Sequence, residues 1–389
     1  MKKIFLLCFS LVCLTADIIM DVVSEQEVLP KIRITTSSLV NFDFDKVIKN
    51  DVLVSSKFEI TNENNANYEL NYDLNPVGNN YELSITLKGM NNEIKYNNTF
   101  TYPKSAYVFL SHKAISQMFK DLKLADLDWM NKKILITRKI AAKQSQILIA
   151  DYTLNYQKII MQGGLNLFAK WANSNQNEFY YTDYNKDILS IYKYNLLNNQ
   201  KTLITQGSGM LALSDISKDG TKALITKTTE DQPEIFLLDL NTKNTKRLTM
   251  YKGIDVSARF VGSDSFAFVS DRSSYPNLYL QGLDKTNATQ LVYHGKNNSA
   301  FSVYNNYIVY SSREKSGDFN LYVMATDSQY VRQLTLNGRN IFPNFSNDGK
   351  TIMFIKLLGM QSSLGILRLD ENKVYHFPLK VGKISTLDW

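Results

Sequence analysis

The segment Asn320-Leu-Tyr-Val-Met-Ala-Thr326, with Arg332-Gln-Leu-Thr335 close behind it, decides how this chain is read. The same frame recurs around Leu148 in Gln-Ile-Leu-Ile-Ala-Asp-Tyr, Ile191 in Leu-Ser-Ile-Tyr-Lys-Tyr-Asn, and Ile235 in Glu-Ile-Phe-Leu-Leu-Asp-Leu. It returns around Leu278 in Asn-Leu-Tyr-Leu-Gln-Gly-Leu and Leu364 in Leu-Gly-Ile-Leu-Arg-Leu-Asp. With Leu321 included, the six anchors stand 43, 44, 43, 43 and 43 residues apart. A fixed period of this length marks repeated copies of one supersecondary unit. Upstream of the anchors lie tight turns, clearest at Ser217-Lys-Asp-Gly220 and Ser346-Asn-Asp-Gly349. Asp-Gly between apolar runs is a hairpin signal, because glycine accepts positive φ without steric cost. Short β-rich runs follow, such as Ser265-Phe-Ala-Phe-Val-Ser270 and Tyr307-Ile-Val-Tyr-Ser-Ser312, and a last strand trails each anchor, as in Lys246-Arg-Leu-Thr249.

Four short strands per repeat describe a propeller blade; helical periodicity is absent, which argues against a helical solenoid. The expectation is an all-β six-bladed propeller over residues 127–389. The first unit has no innermost strand ahead of Lys132-Lys-Ile-Leu-Ile136, and Lys383-Ile-Ser-Thr-Leu-Asp-Trp389 has no unit of its own. A free sheet edge invites aggregation, so the C-terminal segment is expected to supply the missing strand and close the ring.

Residues 17–126 have a different texture and read as an α+β domain. Tyr68-Glu-Leu-Asn-Tyr-Asp-Leu74 and Tyr81-Glu-Leu-Ser-Ile-Thr-Leu87 alternate strictly around Pro76-Val-Gly-Asn-Asn80, which predicts an antiparallel hairpin with one buried face. Ile115, Met118, Phe119 and Leu122 then fall on one face of an amphipathic helix, with Ser111 as its expected N-cap and His112 in its first turn as a surface or partner-facing side chain rather than a ligand, since no second His or Cys lies at ligand spacing.

The chain has 389 residues, 44% apolar and 21% charged, values of an ordinary globular protein. It carries 20 Phe and 23 Tyr but 3 His and 2 Cys, too few for a disulfide scaffold or a zinc ribbon. Met1-Lys2-Lys3, an apolar run from Ile4 to Leu14, and Thr15-Ala16 form a secretory signal over residues 1–16. Cleavage after Ala16 removes Cys8, Cys13, Lys2 and Lys3, taking the net charge from +7 to +5. No basic cluster interleaved with aromatics points to nucleic acid, and no later apolar run is long enough to span a membrane. No Gly-x-Ser-x-Gly elbow is present, against a propeller peptidase. No cofactor is expected.

The Asp-Gly repeats, Ser270-Asp271-Arg272, Ala150-Asp-Tyr152 and Asn320-Leu-Tyr-Val-Met324, preceded by an α+β domain and a signal, resemble the TolB family of the Tol-Pal system. The usual Trp-Ser-Pro-Asp-Gly stands here as Ile216-Ser-Lys-Asp-Gly220 or Phe345-Ser-Asn-Asp-Gly349, and several blades lack it. The resemblance implies a periplasmic, non-enzymatic, monomeric adaptor. Its propeller mouth would bind the lipoprotein Pal and its N-terminal tail the periplasmic part of TolA, in service of envelope integrity and division. The tail is Asp17, Ile18, Ile19, Met20, Asp21, Val22, Val23 and Ser24, apolar enough to add a strand to a sheet edge, whether a partner's or that of its own α+β domain. The mouth residues, those entering each inner strand, are Asn166, Leu167, Met210, Leu211, Ile254, Asp255, Asn298, Ser299, Arg339 and Asn340. Of these Met210-Leu211 is the expected exposed apolar anchor, since methionine adapts its shape. Ser270-Asp271-Arg272 reads as a turn with a local salt bridge. The competing reading is a periplasmic ligand-binding or hydrolytic propeller.

Overall fold

The computed structural model describes residues 20–22, 28–38, 42–359 and 361–389. The expected signal, and Asp17, Ile18, Ile19, Val23 and Ser24 of the tail, lie outside them.

The N-terminal half-unit is a five-stranded sheet in the order Glu59–Ile60, Lys31–Thr36, Tyr68–Val77, Asn80–Gly89, Ile94–Pro103. The predicted hairpin is present, with Leu70 pairing Leu87 and Leu83 opposite Leu74. Leu70, Leu83 and Ile85 are fully buried, as alternation requires of a sheet with one covered face. Helices α1 (Phe42–Val54) and α2 (Val108–Asp121) pack on it. Asp43 and Asp45 stand in the first turn of α1, where the helix dipole favours negative charge.

Helix α2 begins four residues earlier than its sequence suggests, with Tyr107 in place of Ser111 at the N-cap. A 3-10 turn, Lys104–Ala106, leads into it, and no side chain caps it. Ser111 is therefore inside the helix rather than at its cap, and both Ser111 and His112 are fully buried, not at the surface. Of the predicted stripe, Ile115, Met118 and Phe119 are buried on the sheet side, while Leu122 is the C-cap and packs half-buried against the same core. The face carrying Ser111 and His112 is buried too, because the propeller covers it.

Among the described residues the remainder forms four-stranded antiparallel units, the last two of which join, through one parallel pair, Phe319 opposite Arg339, into a nine-stranded sheet that also takes in Met20–Val22. Their innermost strands are Asn166–Trp171, Leu211–Ile216, Asp255–Val261, Lys296–Tyr304, Arg339–Phe345 and Lys383–Asp388. Blades two to six begin with the first five in chain order. Blade one is Lys383–Asp388 laid antiparallel on Ile134–Ala141, so the expected C-terminal closure is present. Each inner strand touches the next around the circle, and Arg339–Phe345 touches Lys383–Asp388, which completes the ring. All six anchors, from Leu148 to Leu364, occupy third strands and are fully buried. Second strands such as Glu178–Asp183 and Thr351–Leu358 are buried on nearly every residue, since a blade packs both its faces against neighbours. At Ser217-Gly220, the Ser217 hydroxyl donates to Asp219 at 2.6 Å and the Thr221 amide to the same oxygen at 3.1 Å; Gly220 takes φ +71°.

Because the closing strand buries Ile384 and Leu387, each worth about 1.5–3 kcal/mol, truncation after Gly382 should lower the thermal midpoint by roughly 10 °C or more. Calorimetry of the truncated and full-length chains measures this; an unchanged midpoint would contradict closure by this strand.

Candidate functional site

Two places gather chemistry: the junction of the two halves, and the channel with its free mouth.

At the junction, α1 supplies Asp51, α2 supplies Ser111 and His112, and the first blade supplies Asp151, Tyr152 and Thr153. His112 Nδ1 lies 2.8 Å from Asp51 Oδ1 and Nε2 lies 3.2 Å from Asp151 Oδ2, with all three residues fully buried. The Ser111 hydroxyl donates to Asp51 at 2.6 Å, and the Tyr152 hydroxyl also donates to Asp51. Asp151 accepts the amides of Thr153 at 2.8 Å and Tyr156 at 2.6 Å. Two buried carboxylates thus share one imidazolium and several donors, the condition under which buried charge is tolerated. Nearby, the Ser56 and Tyr375 hydroxyls lie 2.8 Å apart, and Lys57 pairs with Glu371 at 3.1 Å. One hydrophobic core runs through the junction, from Ile32 and Phe119 through Trp129 to Phe377 and Leu387.

The described part of the tail, Met20–Val22, pairs antiparallel with Lys373–Pro378, the outermost strand of blade six: Met20 opposite Tyr375, Asp21 opposite Val374, Val22 opposite Lys373. The sheet edge it joins belongs to the propeller, not to the α+β domain. The strand it covers is the one whose Tyr375 bonds Ser56 across the junction.

The inner strands run from the free mouth toward the face that carries the α+β domain. A glycine precedes each one: Gly164, Gly209, Gly253, Gly295, Gly338 and Gly382. This collar has the blade period and was legible in the sequence, masked by the more conspicuous Asp-Gly turns of the opposite face. At Gly209, φ is +72° and an added Cβ would lie 2.7 Å from Thr228 Oγ1. Thr228 Oγ1 in turn accepts the Met210 amide at 2.7 Å, while Asn185 and Asp271 hold the Leu165 and Ile254 amides at 2.7 and 2.9 Å. The entry loops of blades two, three and four are therefore clamped to their own blades.

Of the predicted mouth residues, Ile254 and Arg339 are exposed, and Leu167, Met210 and Ser299 are half-buried. Asn166, Leu211, Asp255, Asn298 and Asn340 are buried. Leu211 corrects the expectation of an exposed Met210-Leu211 pair: it packs in the core between blades two and three. Asp255 is the partner of Arg272, whose guanidinium reaches it at 2.8 Å and lies over the rings of Tyr251, Phe268 and Tyr279. The expected local pair within Ser270-Asp271-Arg272 is thus a cross-strand one, and Asp271 instead holds the Ile254 amide. Burial pushes the Asp255 carboxyl up despite the Ser270 and Arg272 bonds.

Inside the mouth, Phe168, Met210, Phe301 and Phe342 line a cavity of about 130 Å³. Phe168 and Phe342 sit at bulges with φ +55° and +52°, a region bulky residues seldom occupy and one associated with functional sites. Beneath them lies a polar neck. Lys170 reaches Asp388 at 3.0 Å and Asp215 at 3.5 Å, Arg259 approaches Asp215 at 3.7 Å, and Asn344 donates to Asp388 at 3.4 Å. These come from blades two, three, four, six and one. The neck opens into a vestibule of about 570 Å³ on the far face. Among the described residues no group of three or more His, Cys, Asp or Glu is placed to hold a metal ion, and no helix is long and apolar enough to cross a membrane. His294 bonds the Tyr310 hydroxyl at 2.6 Å and His376 faces Lys356 at 3.3 Å, each within its own blade.

Burial works against a charged His112, yet the Asp51 charge and the bonds to both carboxylates outweigh it and push the imidazole up to about 9. A histidine raised above its ordinary value stabilises the fold fully below pH ~6.5, and that contribution is lost as pH rises through 9. Denaturant titrations should therefore show stability falling by ~3 kcal/mol from pH 6.5 to above 9, and His112→Gln should remove most of that slope. A wild-type slope that survives the substitution would place its origin elsewhere.

The pattern of known relatives agrees with this architecture. The family described as the TolB beta propeller domain matches residues 130–389. The Tol-Pal system protein TolB of Campylobacter jejuni is 46% identical over 385 residues, covering 96% of both chains. The protein of the same name from Helicobacter pylori strain J99 is 35% identical over the full length of both. The crystal structure of TolB from Acinetobacter baumannii superposes with a TM-score of 0.80 over 96% of this chain and 99% of that one, at 20% identity. With a propeller match over two-thirds of its residues and close relatives along its whole length, this chain belongs to the TolB family.

Proposed function

We propose that this protein is a non-enzymatic periplasmic adaptor of the Tol-Pal system, with two protein-binding elements on one scaffold. The observation that carries the reading is the identity to the Campylobacter jejuni protein, which runs through both the α+β half and the propeller. The mouth supports a protein-binding role. Half-buried Met210 and exposed Ile254 stand on clamped loops at a mouth whose cavity carries Phe168, Phe301 and Phe342, and preorganised loops reduce the ordering cost of association. The partner assigned to the mouth is the lipoprotein Pal.

The partner assigned to the tail is the periplasmic part of TolA. Met20–Val22 is held through three register positions at a sheet edge, few enough for another edge to compete for the strand by β-augmentation. The strand it vacates carries Tyr375, so tail release and the domain junction share a structural element. Such sharing gives one site a route to bias the other, and any bias in affinity is reciprocal. Linking the two membrane layers in this way would serve envelope integrity and the inward draw of the outer membrane at division.

Isothermal titration with the periplasmic domains of Pal and TolA from the same organism tests the reading, and no binding to either at micromolar concentration would sink it. Met210→Asp, which forces an unpaired charge into the contact, should weaken Pal about 10-fold or more and leave TolA unchanged. Deleting residues 17–24 should abolish TolA binding and retain Pal binding. Equal loss of both would mean that the tail only stabilises the fold.

A further inference from the structure

The free mouth is electrostatically two-sided. The residues that follow the collar glycines on blades two, three and four are Leu165, Met210 and Ile254; on blades five, six and one they are Lys296, Arg339 and Lys383. Strand register doubles the charge on the second arc. Lys296 stands directly opposite Arg313, and Lys383 directly opposite Lys139. Like charges facing each other across a ladder destabilise it, and here nothing offsets them: among the described residues none of these five cations lies within ion-pair distance of a carboxylate. The carboxylates on the same side, Glu314 and Asp318, lie in an outer loop. The Tyr322 hydroxyl bonds Glu314 at 2.6 Å and Ser316 bonds Asp318 at 3.3 Å. Arg339 rests its guanidinium over the Phe319 ring at 5.2 Å and is itself exposed.

We propose that this mouth is built for an acidic peptide segment of a partner protein, with carboxylates on Lys139, Lys296, Arg313, Arg339 and Lys383 and an apolar side on Leu165, Met210 and Ile254. The proposal rests on the reading of the mouth as the Pal site and adds the chemistry and orientation of what docks there. Two uncompensated cross-strand pairs store repulsion that an acidic partner relieves on binding. A partner so bound gains attraction and removes a strain of the free protein. An anionic lipid surface fits less well. It would meet the whole rim, and the opposite arc carries exposed Asp187 and Asp231.

The test uses the full protein, the triple variant K296E/R339E/K383E, and the control K186E/K252E on the opposite arc. Two probes are titrated at rising salt: the Pal periplasmic domain, and a fluorescent peptide of alternating glutamate and leucine. Anionic phosphatidylglycerol vesicles form a third arm. The triple variant should lose about 30-fold or more in affinity for both protein and peptide and lose most of the salt dependence, with the control within about 3-fold. Its thermal midpoint should be held or raised, because glutamate then faces Arg313 and Lys139; this also excludes misfolding as the cause of lost binding. Equal effects of the two variants, an unchanged triple variant, or co-sedimentation with the vesicles that the triple variant abolishes would overturn the proposal. If the wild-type protein binds the peptide but not Pal, and the triple variant loses the peptide, the collar chemistry stands while the assignment of Pal falls. If it binds Pal but not the peptide, and Pal ignores the triple variant, the reverse holds.

Discussion

The pairing of Lys383–Asp388 with Ile134–Ala141 is the constraint on which the propeller depends. It joins the two ends of a repeat array that would otherwise leave Ile134–Ala141 with an unpaired edge facing the channel. It also delivers Asp388 to the axis, where its carboxylate accepts Lys170 at 3.0 Å and the Trp171 amide at 2.9 Å from blade two. The polar neck is thus continuous with the closure: remove the strand and Lys170 keeps only Asp215, while Asn344 loses its acceptor. A mouth with fixed dimensions follows from a ring that cannot spread.

The second constraint is the buried imidazolium between Asp51 and Asp151. Hydrophobic packing alone would hold the α+β half against blades one and six, since one core passes through both. The charged cluster adds direction. Two carboxylates that accept and one cation that donates, each with a partner in the other half, are satisfied in one relative placement of the halves. The tail lies next to this junction, on the strand that carries Tyr375. A single region therefore connects the tail, the domain interface and blade six, while the mouth lies at the opposite end of the same blades.

The two faces of the ring use different turn chemistry for different ends. The face against the α+β domain carries Ser-x-Asp-Gly turns, closed by their own side chains. The free face carries the glycine collar, and on blades two, three and four the amide after the glycine is held by a side chain at the end of the second strand. Clamped loops can display exposed apolar side chains without collapsing onto them, and that is the arrangement found at Ile254.

The sequence by itself determined the repeat, the propeller class it implies, the hairpin at Tyr68–Leu87, most of the stripe on α2 and the pairing of the last strand with the first unit. Those features are written in local period and turn residues, which need no knowledge of distant neighbours. Tertiary structure alone decided that His112 is a buried ion between carboxylates 61 and 39 residues away, that Arg272 serves Asp255, and that Leu211 is core while Met210 reaches the channel. It alone put Met20–Val22 on blade six rather than on the α+β sheet, and set Lys296 against Arg313. The physical reason is common to all of these. Burial, charge pairing and edge pairing depend on which surfaces the closed ring brings face to face, and adjacency across blades or domains leaves no mark in the period of either segment.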